Sequence, residues 1–311
     1  MNIFIAGASG FLGRHLVKRL TGEGHAVCAI TSRDADLTKD QSLHRLYHPQ
    51  YDQIYHLAAW TQAGDFCLKH GGEQWVINNR INTNVLDWWR TDQPQAKLIA
   101  LGTSVSYATE ENLVEDAYMS GEPSDKFYAY AMSKRMLYAG LKSLAKQYGL
   151  RYLYLVPSTL YGPGYHTDGR QLHFIYDLIR KILRGKLLGE PVTLWGDGYQ
   201  QRELVYIDDF IGILLRLAVL CDNDIYNIGA GVGYTIRDFA AAICAEVGLD
   251  VHAIQYDESA YVGAKSKVLS VEKLLAQLGV LSTTPLRVGI QRTVDWMRAE
   301  AAYFLATPSD D

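Results

Sequence analysis

The chain has 311 residues, of which 48% are hydrophobic and 21% are charged, and its formal net charge at pH 7 is −4. A chain of this size can bury a full hydrophobic core and exceeds one compact unit, so we expect one large domain and a smaller one. The slightly acidic balance supplies no basic surface, which argues against nucleic acid or anionic lipid as a partner and favours a small molecule.

The four cysteines lie far apart in the sequence, without a CxxC pair, which argues against a disulfide framework and against a metal site. The N-terminus has no basic region followed by a long apolar stretch, as a signal peptide would have. No later segment approaches the ~20 apolar residues of a membrane span. We therefore expect a cytoplasmic protein with no membrane partner and no metal.

The first predicted element is a short apolar strand at residues 2–6, followed by a glycine-rich turn and a helix that ends at Gly22. Similar apolar segments follow, separated by longer polar or helical stretches, at 25–31, 53–59, 96–102 and 150–157. Because they are apolar on both faces, they predict buried parallel strands joined by crossover helices. The predicted fold class is α/β, with a Rossmann-type doubly wound parallel sheet.

After Pro157 the pattern becomes irregular, with a helical stretch near 171–185 and a loop at 195–203. This change indicates a smaller C-terminal substrate domain. No low-complexity linker separates the two regions, so we expect them to interleave. The predicted division is a dinucleotide-binding domain at residues 1–160 plus about 203–232, and a substrate domain at residues 161–202 and 233–311.

A GxxGxxG turn joins the first predicted strand directly to the first helix. Glycines allow a tight turn and a close approach of the backbone to a pyrophosphate, and the helix N-terminus offers free N–H groups. An ordinary glycine-rich turn is the alternative, which the position between strand and helix disfavours. The predicted dinucleotide contacts in this turn are Gly7, Ser9, Gly10, Phe11, Leu12 and Gly13.

The residues after the second strand indicate which dinucleotide binds. An acidic residue there binds the ribose 2′-hydroxyl of NAD, whereas an arginine accepts the 2′-phosphate of NADP. Here the chain reads Thr31-Ser32-Arg33, so we expect NADP(H) rather than NAD(H), with Arg33 as the phosphate contact. The alternative is that Arg33 is a solvated surface charge, since Asp34 follows it directly.

Tyr130 and Lys134 open a helical stretch, and their spacing of four places both side chains on one helix face. A phenol with an ordinary pKa of about 10 is a poor proton shuttle at neutral pH, so a nearby ammonium that favours phenolate is chemically sensible. A surface tyrosine and lysine are the alternative. Thr103, Ser104 and Ser106 follow the fourth strand, where ligand groups collect in open sheets, although such hydroxyls also cap loops.

Together these motifs resemble the extended short-chain dehydrogenases of the NAD-dependent epimerase/dehydratase family, and among them most closely the GDP-L-fucose synthases. The motifs that carry the resemblance are GASGFLG at 7–13, HLAA at 56–59, YAMSK at 130–134, LYGP at 160–163 and WGDGYQQRE at 195–203. It covers nearly the whole chain up to about Asp209. It implies an NAD(P)-dependent enzyme acting on a nucleotide sugar, and a homodimer built on the helices near 75–90 and 130–148.

The resemblance also implies roles for individual residues. The implied catalytic residues are Thr103, Tyr130, Lys134 and, as an acid, His173. The further implied cofactor contacts are Asp36, Leu37, Leu57, Ala58, Ala59, Asn78, Tyr130 and Lys134. The implied substrate contacts are Ser104, Val105, Thr159 and Arg202.

Three positions depart from the family pattern. Val105 stands where the fucose synthases have a cysteine base, and valine cannot move a proton. Ser104 and Val105 also occupy the places of the Asp-Glu pair of the sugar dehydratases, so dehydration is not expected. Thr159 replaces an asparagine that is common before the LYGP motif.

The sequence therefore predicts an NADPH-dependent 4-ketoreductase of a nucleotide-activated 4-keto-6-deoxy sugar, with a GDP-linked hexose or heptose favoured, and without 3,5-epimerase activity. Tyr130 is expected to protonate the oxygen at carbon 4, Lys134 to tune Tyr130, and Thr103 to hold the developing oxyanion. One alternative is an NAD-dependent nucleotide-sugar 4-epimerase. The other is a non-catalytic dinucleotide-sensing protein, which has no need of these three side chains together.

Overall fold

The computed structural model describes residues 1–46, 49–108, 113–260, 263–281 and 283–306. Its strands are β1 (Asn2–Ala6), β2 (Ala26–Ile30), β3 (Gln53–His56), β4 (Lys97–Leu101), β5 (Tyr152–Pro157), β6 (Thr159–Tyr161), β7 (Val192–Trp195), β8 (Gln201–Arg202), β9 (Leu204–Tyr206), β10 (Asp224–Ile228), β11 (Tyr234–Thr235), β12 (Ile254–Asp257) and β13 (Ser266–Lys267). Its α-helices are α1 (Phe11–Gly22), α2 (Phe66–Lys69), α3 (Gly71–Asp92), α4 (Tyr128–Tyr148), α5 (Phe174–Leu188), α6 (Ile207–Leu220), α7 (Ile236–Val247), α8 (Glu272–Leu278), α9 (Leu286–Ala299) and α10 (Ala301–Ala306).

A six-stranded sheet with the order β10-β5-β4-β3-β1-β2 forms the centre of the molecule, and all of its strand pairs are parallel. The chain begins in the interior of the sheet, moves outward to β2 and then crosses back to β3. This reversal creates a switch point between β1 and β3, where the carboxyl ends of the strands leave a crevice for ligands. The predicted Rossmann-type sheet is confirmed, and the five predicted strands are present, β1 with the predicted bounds and the other four with shorter ones.

Helices cover both faces of this sheet, because alternate residues of each strand point to opposite sides. On one face, Phe4 packs in a cluster with Trp88 of α3 and Leu141 of α4. On the other face, Ile3 packs in a cluster with Leu16 of α1 and, from α6, Leu214. These two apolar layers fix the carboxyl ends of β1, β3 and β4 relative to α1 and α4, and so position the residues described below.

The later part of the chain builds a third apolar cluster, to which Ile179, Phe239 and Val294 of α5, α7 and α9 contribute. Short strands surround it in the orders β11-β8-β13, β12-β7 and β6-β9. The sequence predicted a helix near α5 but not these strands, because segments of two to four residues show no readable alternation. β10 returns to the large sheet beside β5, within the range 203–232 assigned to the dinucleotide-binding domain. The bounds of the two domains stay a prediction.

In the part of the chain that the structure describes, no helix is long and apolar enough to cross a membrane. The four cysteines carry free thiols, and all but the half-buried Cys28 are buried.

Candidate active site

The glycine-rich turn between β1 and α1 forms a tight cradle. Gly7 has φ +86°, and a Cβ atom on it would lie 2.7 Å from the backbone nitrogen of Ala58. A Cβ atom on Gly13 would clash with the carbonyl oxygen of Gly7. α1 begins after Gly10 without a side-chain cap among the described residues and without an acidic residue in its first turn. Its first N–H groups and the positive end of its dipole therefore suit an anion such as a pyrophosphate.

In the segment after β2, the arginine is exposed to solvent, whereas the two aspartates accept hydrogen bonds from neighbouring threonines. The backbone N–H and the hydroxyl of Thr31 both donate to the Asp34 carboxylate at 2.8 Å, and these hydrogen bonds hold the pKa of Asp34 below its ordinary value. Asp36 accepts two similar hydrogen bonds from Thr38. Arg33 is exposed, and its guanidinium forms no ion pair with the residues described. Both carboxylates stay ionised but are hydrogen-bonded to threonines, so Arg33 is the cation that this segment offers to an anionic ligand.

The loop after β3, residues 57–59, is half-buried and is shaped by Asn78 of α3. The Asn78 Oδ1 accepts a hydrogen bond from the Trp60 backbone nitrogen at 2.8 Å, and its Nδ2 donates to the carbonyl oxygens of Trp60 at 3.1 Å and Gln74 at 3.0 Å. Leu37 is buried in the cluster against which this loop packs. The visible role of Asn78 is to hold the loop, and its contact with a dinucleotide stays a prediction.

Tyr130 and Lys134 lie one turn apart on α4, on one face of the helix as expected. The Lys134 Nζ lies 5.8 Å from the centroid of the Tyr130 ring. Burial lowers the pKa of Lys134 to about 8 and raises the pKa of Tyr130 above its ordinary value. Tyr130 therefore holds its proton at neutral pH, which suits a proton donor, and Lys134 is a cation with little water around it.

A short 3-10 helix after β4 is fastened to α4 beside Tyr130. The Ser106 hydroxyl donates to the Ala131 carbonyl oxygen at 3.1 Å, and the Arg135 Nε donates to the Ser106 carbonyl oxygen at 2.9 Å. Ser106 is buried and engaged in this contact, so it serves the packing of the turn rather than a ligand.

The remaining side chains of this turn are Thr103, Ser104 and Val105, which are half-buried at the carboxyl end of β4. The Thr103 Oγ1 accepts a hydrogen bond from the Val105 backbone nitrogen at 3.4 Å. Because Ser106 holds this turn against the residue that follows Tyr130, Thr103 lies at the part of α4 that carries the tyrosine. Its hydroxyl can still donate to an oxygen of a ligand.

Cys67 of α2 is a neighbour of Tyr130 that the sequence analysis missed. A charge on its sulfur would raise the pKa of Tyr130, which indicates that the two side chains lie near each other. Burial raises the pKa of the Cys67 thiol, and the Thr61 Oγ1 lies 4.0 Å from its sulfur atom. Cys67 is distant from Thr103 and Val105 in sequence and lies on α2, in the connection between β3 and α3.

Arg202 and Lys267 occupy paired positions on the adjacent parallel strands β8 and β13. The Arg202 Nη1 donates to the carbonyl oxygens of Gln201 at 2.7 Å and Ala264 at 2.8 Å, which orients the guanidinium. Burial, and then the charge of Arg202, lower the pKa of Lys267 to about 7. Two cations held together in a partly desolvated place favour an anionic ligand. The sequence predicted a substrate contact for Arg202 and none for Lys267, and contact of either residue with a substrate stays a prediction.

His173 caps the N-terminus of α5 and lies within the electrostatic reach of Lys267. Its Nδ1 accepts a hydrogen bond from the Phe174 backbone nitrogen at 3.1 Å. Burial, then the charge of Lys267 and that of His166, lower the pKa of His173 to about 4, so its ring is neutral at pH 7. The structure thus brings His173, Arg202 and Lys267 into one cluster.

This cluster also reaches α4. The Lys267 Nζ lies 5.9 Å from the ring centroid of Phe127. Phe127 is the residue directly before α4 and lies three residues before Tyr130. Thr159 is half-buried at the start of β6, opposite Leu204 of β9, and its contact with a substrate stays a prediction. Among the described residues, no group of three or more His, Cys, Asp or Glu side chains could hold a metal ion.

Comparison with known proteins places this geometry in a family. Residues 3–229 match the NAD dependent epimerase/dehydratase family. The GDP-L-fucose synthase of Escherichia coli is 28% identical over 316 residues, which cover 94% of this chain and 95% of that protein.

Two solved structures share the whole fold. A GDP-L-fucose synthetase from Naegleria fowleri bound to NADP has a TM-score of 0.84 at 20% identity, with 97% of this chain and 95% of that chain covered. A GDP-6-OMe-4-keto-L-xylo-heptose reductase from C. jejuni has a TM-score of 0.86 at 20% identity, with 96% and 98% covered.

Proposed function

Because the chain belongs to the NAD-dependent epimerase/dehydratase family and is an NAD(P)-dependent enzyme of the nucleotide-sugar reductase/epimerase type, we propose that it is an NADPH-dependent 4-ketoreductase. Its proposed substrate is a nucleotide-activated 4-keto-6-deoxy sugar, with a GDP-linked hexose or heptose favoured. The names of the E. coli and C. jejuni proteins support the guanine nucleotide and the reduction. The observation that carries the proposal is the proximity of the half-buried Tyr130 and the buried Lys134 on one face of α4, the helix whose preceding residue, Phe127, lies near Lys267.

The turn after β1 fits a dinucleotide for two reasons. No side chain caps the N-terminus of α1, so its first N–H groups are available to a pyrophosphate, and the glycines let the pyrophosphate approach the backbone closely. The proposed contacts of the dinucleotide are Gly7, Ser9, Gly10, Phe11, Leu12, Gly13, Arg33, Asp36, Leu37, Leu57, Ala58, Ala59, Asn78, Tyr130 and Lys134. A bound nicotinamide supplies the hydride for carbon 4 of the sugar.

The residues of this chain handle the oxygen at carbon 4. Tyr130 donates its phenolic proton to that oxygen, and burial keeps the proton in place until then because it raises the pKa of Tyr130. The Lys134 ammonium stabilises the phenolate that remains, and Thr103 donates a hydrogen bond to the developing oxyanion. Ser104, Val105 and Thr159 are the proposed contacts of the sugar.

Arg202 and Lys267 are the proposed partners of the substrate diphosphate, since a planar guanidinium and an ammonium both suit phosphate oxygens. His173 is neutral at pH 7 and is proposed to bind a sugar hydroxyl or relay a proton. Because Val105 has no proton to exchange, we propose that 3,5-epimerisation is absent.

The direct test is to incubate purified protein and NADPH with GDP-, CDP-, UDP- and dTDP-linked 4-keto-6-deoxy sugars and to follow NADPH absorbance. Turnover with the GDP sugar above the others is expected. A purified protein that retains nucleotide through dialysis and interconverts 4-epimers would favour the NAD-dependent 4-epimerase instead. Dinucleotide binding without turnover of any of these sugars would favour a sensor.

Replacement of Arg33 by alanine tests the proposed preference for NADPH. Loss of a charge-assisted hydrogen bond to the 2′-phosphate is expected to weaken NADPH binding about 10- to 100-fold, whereas NADH, which has no such phosphate, loses little. Fluorescence titration with each dinucleotide measures both affinities. Arg45→Ala, which removes another exposed cation between β2 and β3, is the control. An equal loss for NADH and NADPH would contradict the assignment.

Lys267→Met is expected to raise KM for the nucleotide sugar about 10- to 100-fold and to leave NADPH affinity unchanged, because the ammonium is a partner of the diphosphate alone. Lys265→Met, which removes an exposed cation two residues earlier, is the matched control. An unchanged KM in Lys267→Met would remove Lys267 from the substrate site.

The charge state of Lys267 should make kcat/KM depend on pH. The pKa of Lys267 is lowered to about 7, so its positive charge is present below that pH and is lost above it. We expect kcat/KM, which reports the free enzyme, to fall above about pH 7 in the unaltered protein and to fall less in Lys267→Arg, since a guanidinium stays charged.

We also propose a homodimer formed through the helices near 75–90 and 130–148. Large apolar side chains are exposed on these two helices: Trp75 and Val76 on α3, and Met136 and Tyr148 on α4. Sedimentation velocity measures the mass in solution, and a clean monomer would remove the proposal.

A further inference from the structure

His56, the last residue of β3, is 1% exposed and has no part in the proposed chemistry so far. Its Nε2 lies 3.0 Å from the Asn82 Oδ1, and the Asn82 Nδ2 donates to the Ser133 carbonyl oxygen at 3.3 Å. A carbonyl oxygen can only accept, so the amide nitrogen of Asn82 faces Ser133 and its oxygen faces the imidazole. Nε2 must then carry the proton of the ring.

The other ring nitrogen, Nδ1, therefore presents a lone pair inside the protein. Among the described residues, nothing donates a hydrogen bond to it. A buried acceptor without a donor is unfavourable and is rare in folded proteins. A neutral imidazole is the species present, because burial, and then the charge of Lys134, lower the pKa of His56 to about 4.

Lys134 is the one charged group, in the part of the chain described, that shifts the pKa of His56. Lys134 is itself 4% exposed, and its Nζ also lies 5.8 Å from the centroid of the Tyr130 ring. A lone pair attracts an ammonium, whereas an imidazolium would repel it. The neutral ring is therefore the state that suits this neighbour.

Asn82 also fastens the ring to the turn of α4 that carries both catalytic residues. Ser133, whose carbonyl accepts from Asn82, directly precedes Lys134, and the Ser133 hydroxyl donates to the Tyr130 carbonyl oxygen at 2.7 Å. A shift of His56 would thus be transmitted to the backbone between Tyr130 and Lys134.

We propose that His56 is a positioning residue for Lys134, and that its Nδ1 accepts a hydrogen bond from the lysine ammonium, directly or through one water molecule. The hydrogen bond holds the Lys134 ammonium near the Tyr130 ring and stabilises the charged form of the lysine. This inference rests on the role proposed for Lys134 in the reduction.

Two substitutions separate the functions of the two ring nitrogens. His56→Gln keeps an N–H donor near the position of Nε2 and lacks an acceptor at the position of Nδ1, whereas His56→Asn can place its oxygen at Nδ1. The profile of kcat against pH reports the enzyme–substrate complex. In His56→Gln, the alkaline limb of that profile should move to lower pH by about half a unit to one unit, because the ammonium loses a stabilising partner.

In His56→Asn the alkaline limb should stay where it is in the unaltered enzyme, which a purely structural role of the ring would not produce. An unmoved limb in His56→Gln, or an equal shift in both variants, would overturn the proposal. NADPH titration of each variant verifies that the dinucleotide site is intact.

A high-resolution crystal structure of the unaltered holoenzyme tests the proposal without any substitution. The Lys134 Nζ, or a water molecule bonded to it, should lie about 3 Å from the His56 Nδ1. A structure in which the His56 Nδ1 is surrounded by apolar atoms alone would overturn the proposal. This test does not depend on whether the variants fold. If the unaltered enzyme turns over no 4-keto sugar, the proposed function fails, and this contact still decides the placement of His56.

Discussion

Tyr130→Phe is expected to lower kcat about 10²- to 10⁴-fold, the usual contribution of a positioned general acid. The substitution removes the phenolic proton and keeps the ring, so the packing of α4 and the affinity for NADPH should be preserved. Burial raises the pKa of Tyr130, so the tyrosine is protonated throughout the neutral range and no other state of it has to be considered. Steady-state turnover and fluorescence titration with NADPH measure the two quantities separately.

Tyr128→Phe is the matched control, because it removes a hydroxyl from an exposed tyrosine two residues earlier on the same helix. It should turn over normally. Lys134→Met should lower both turnover and NADPH affinity, because Lys134 is also a proposed contact of the dinucleotide. Near-normal turnover by Tyr130→Phe would show that the proton comes from another group.

The parts of the structure that the sequence predicted are those with long, regular signals. β1 and β3 to β5 are apolar on both faces, and the helix of Tyr130 has buried residues at helical spacing up to a glycine that ends it. Gly7 and Gly13 could be predicted as part of a tight turn for a different reason, since a side chain at either position would collide with neighbouring backbone atoms.

The residues that the sequence did not reveal depend on contacts between distant segments. Lys267 lies on a strand of two residues and gains its meaning only from its pairing with Arg202 on β8. Cys67 and His56 approach α4 from the β3–α3 connection and from the end of β3, and no spacing along the chain records these approaches. A side chain's neighbours through space, rather than its own type, make it part of a site.

Turnover of a 4-keto-6-deoxy nucleotide sugar in deuterated water is expected to leave carbons 3 and 5 without deuterium above the non-enzymatic background. Epimerisation beside a carbonyl requires a base to remove a carbon-bound proton and an acid to return one to the opposite face. Val105 can do neither, and His173, whose pKa is lowered to about 4, is a neutral imidazole at pH 7 and supplies at most one of the two proton-handling groups. NMR of the isolated product measures the labelling at each carbon.

Val105→Cys is the matched variant, because it adds a thiol where the related fucose synthases have one, and labelling at carbon 3 or 5 should rise in it.

Labelling by the unaltered enzyme would instead mean that another group supplies the base, and the proposal of a reductase without epimerase activity would have to be given up. The Ser106 hydroxyl is buried and donates to the Ala131 carbonyl oxygen, so it is not placed to act as this base. Cys67 would then be tested first, since it reaches Tyr130 through space, although burial raises the pKa of its thiol and disfavours the thiolate that a base requires. If Cys67→Ser abolished such labelling while reduction at carbon 4 continued, the base would be Cys67; if labelling persisted, Ser104 and His166 would be the next residues to replace.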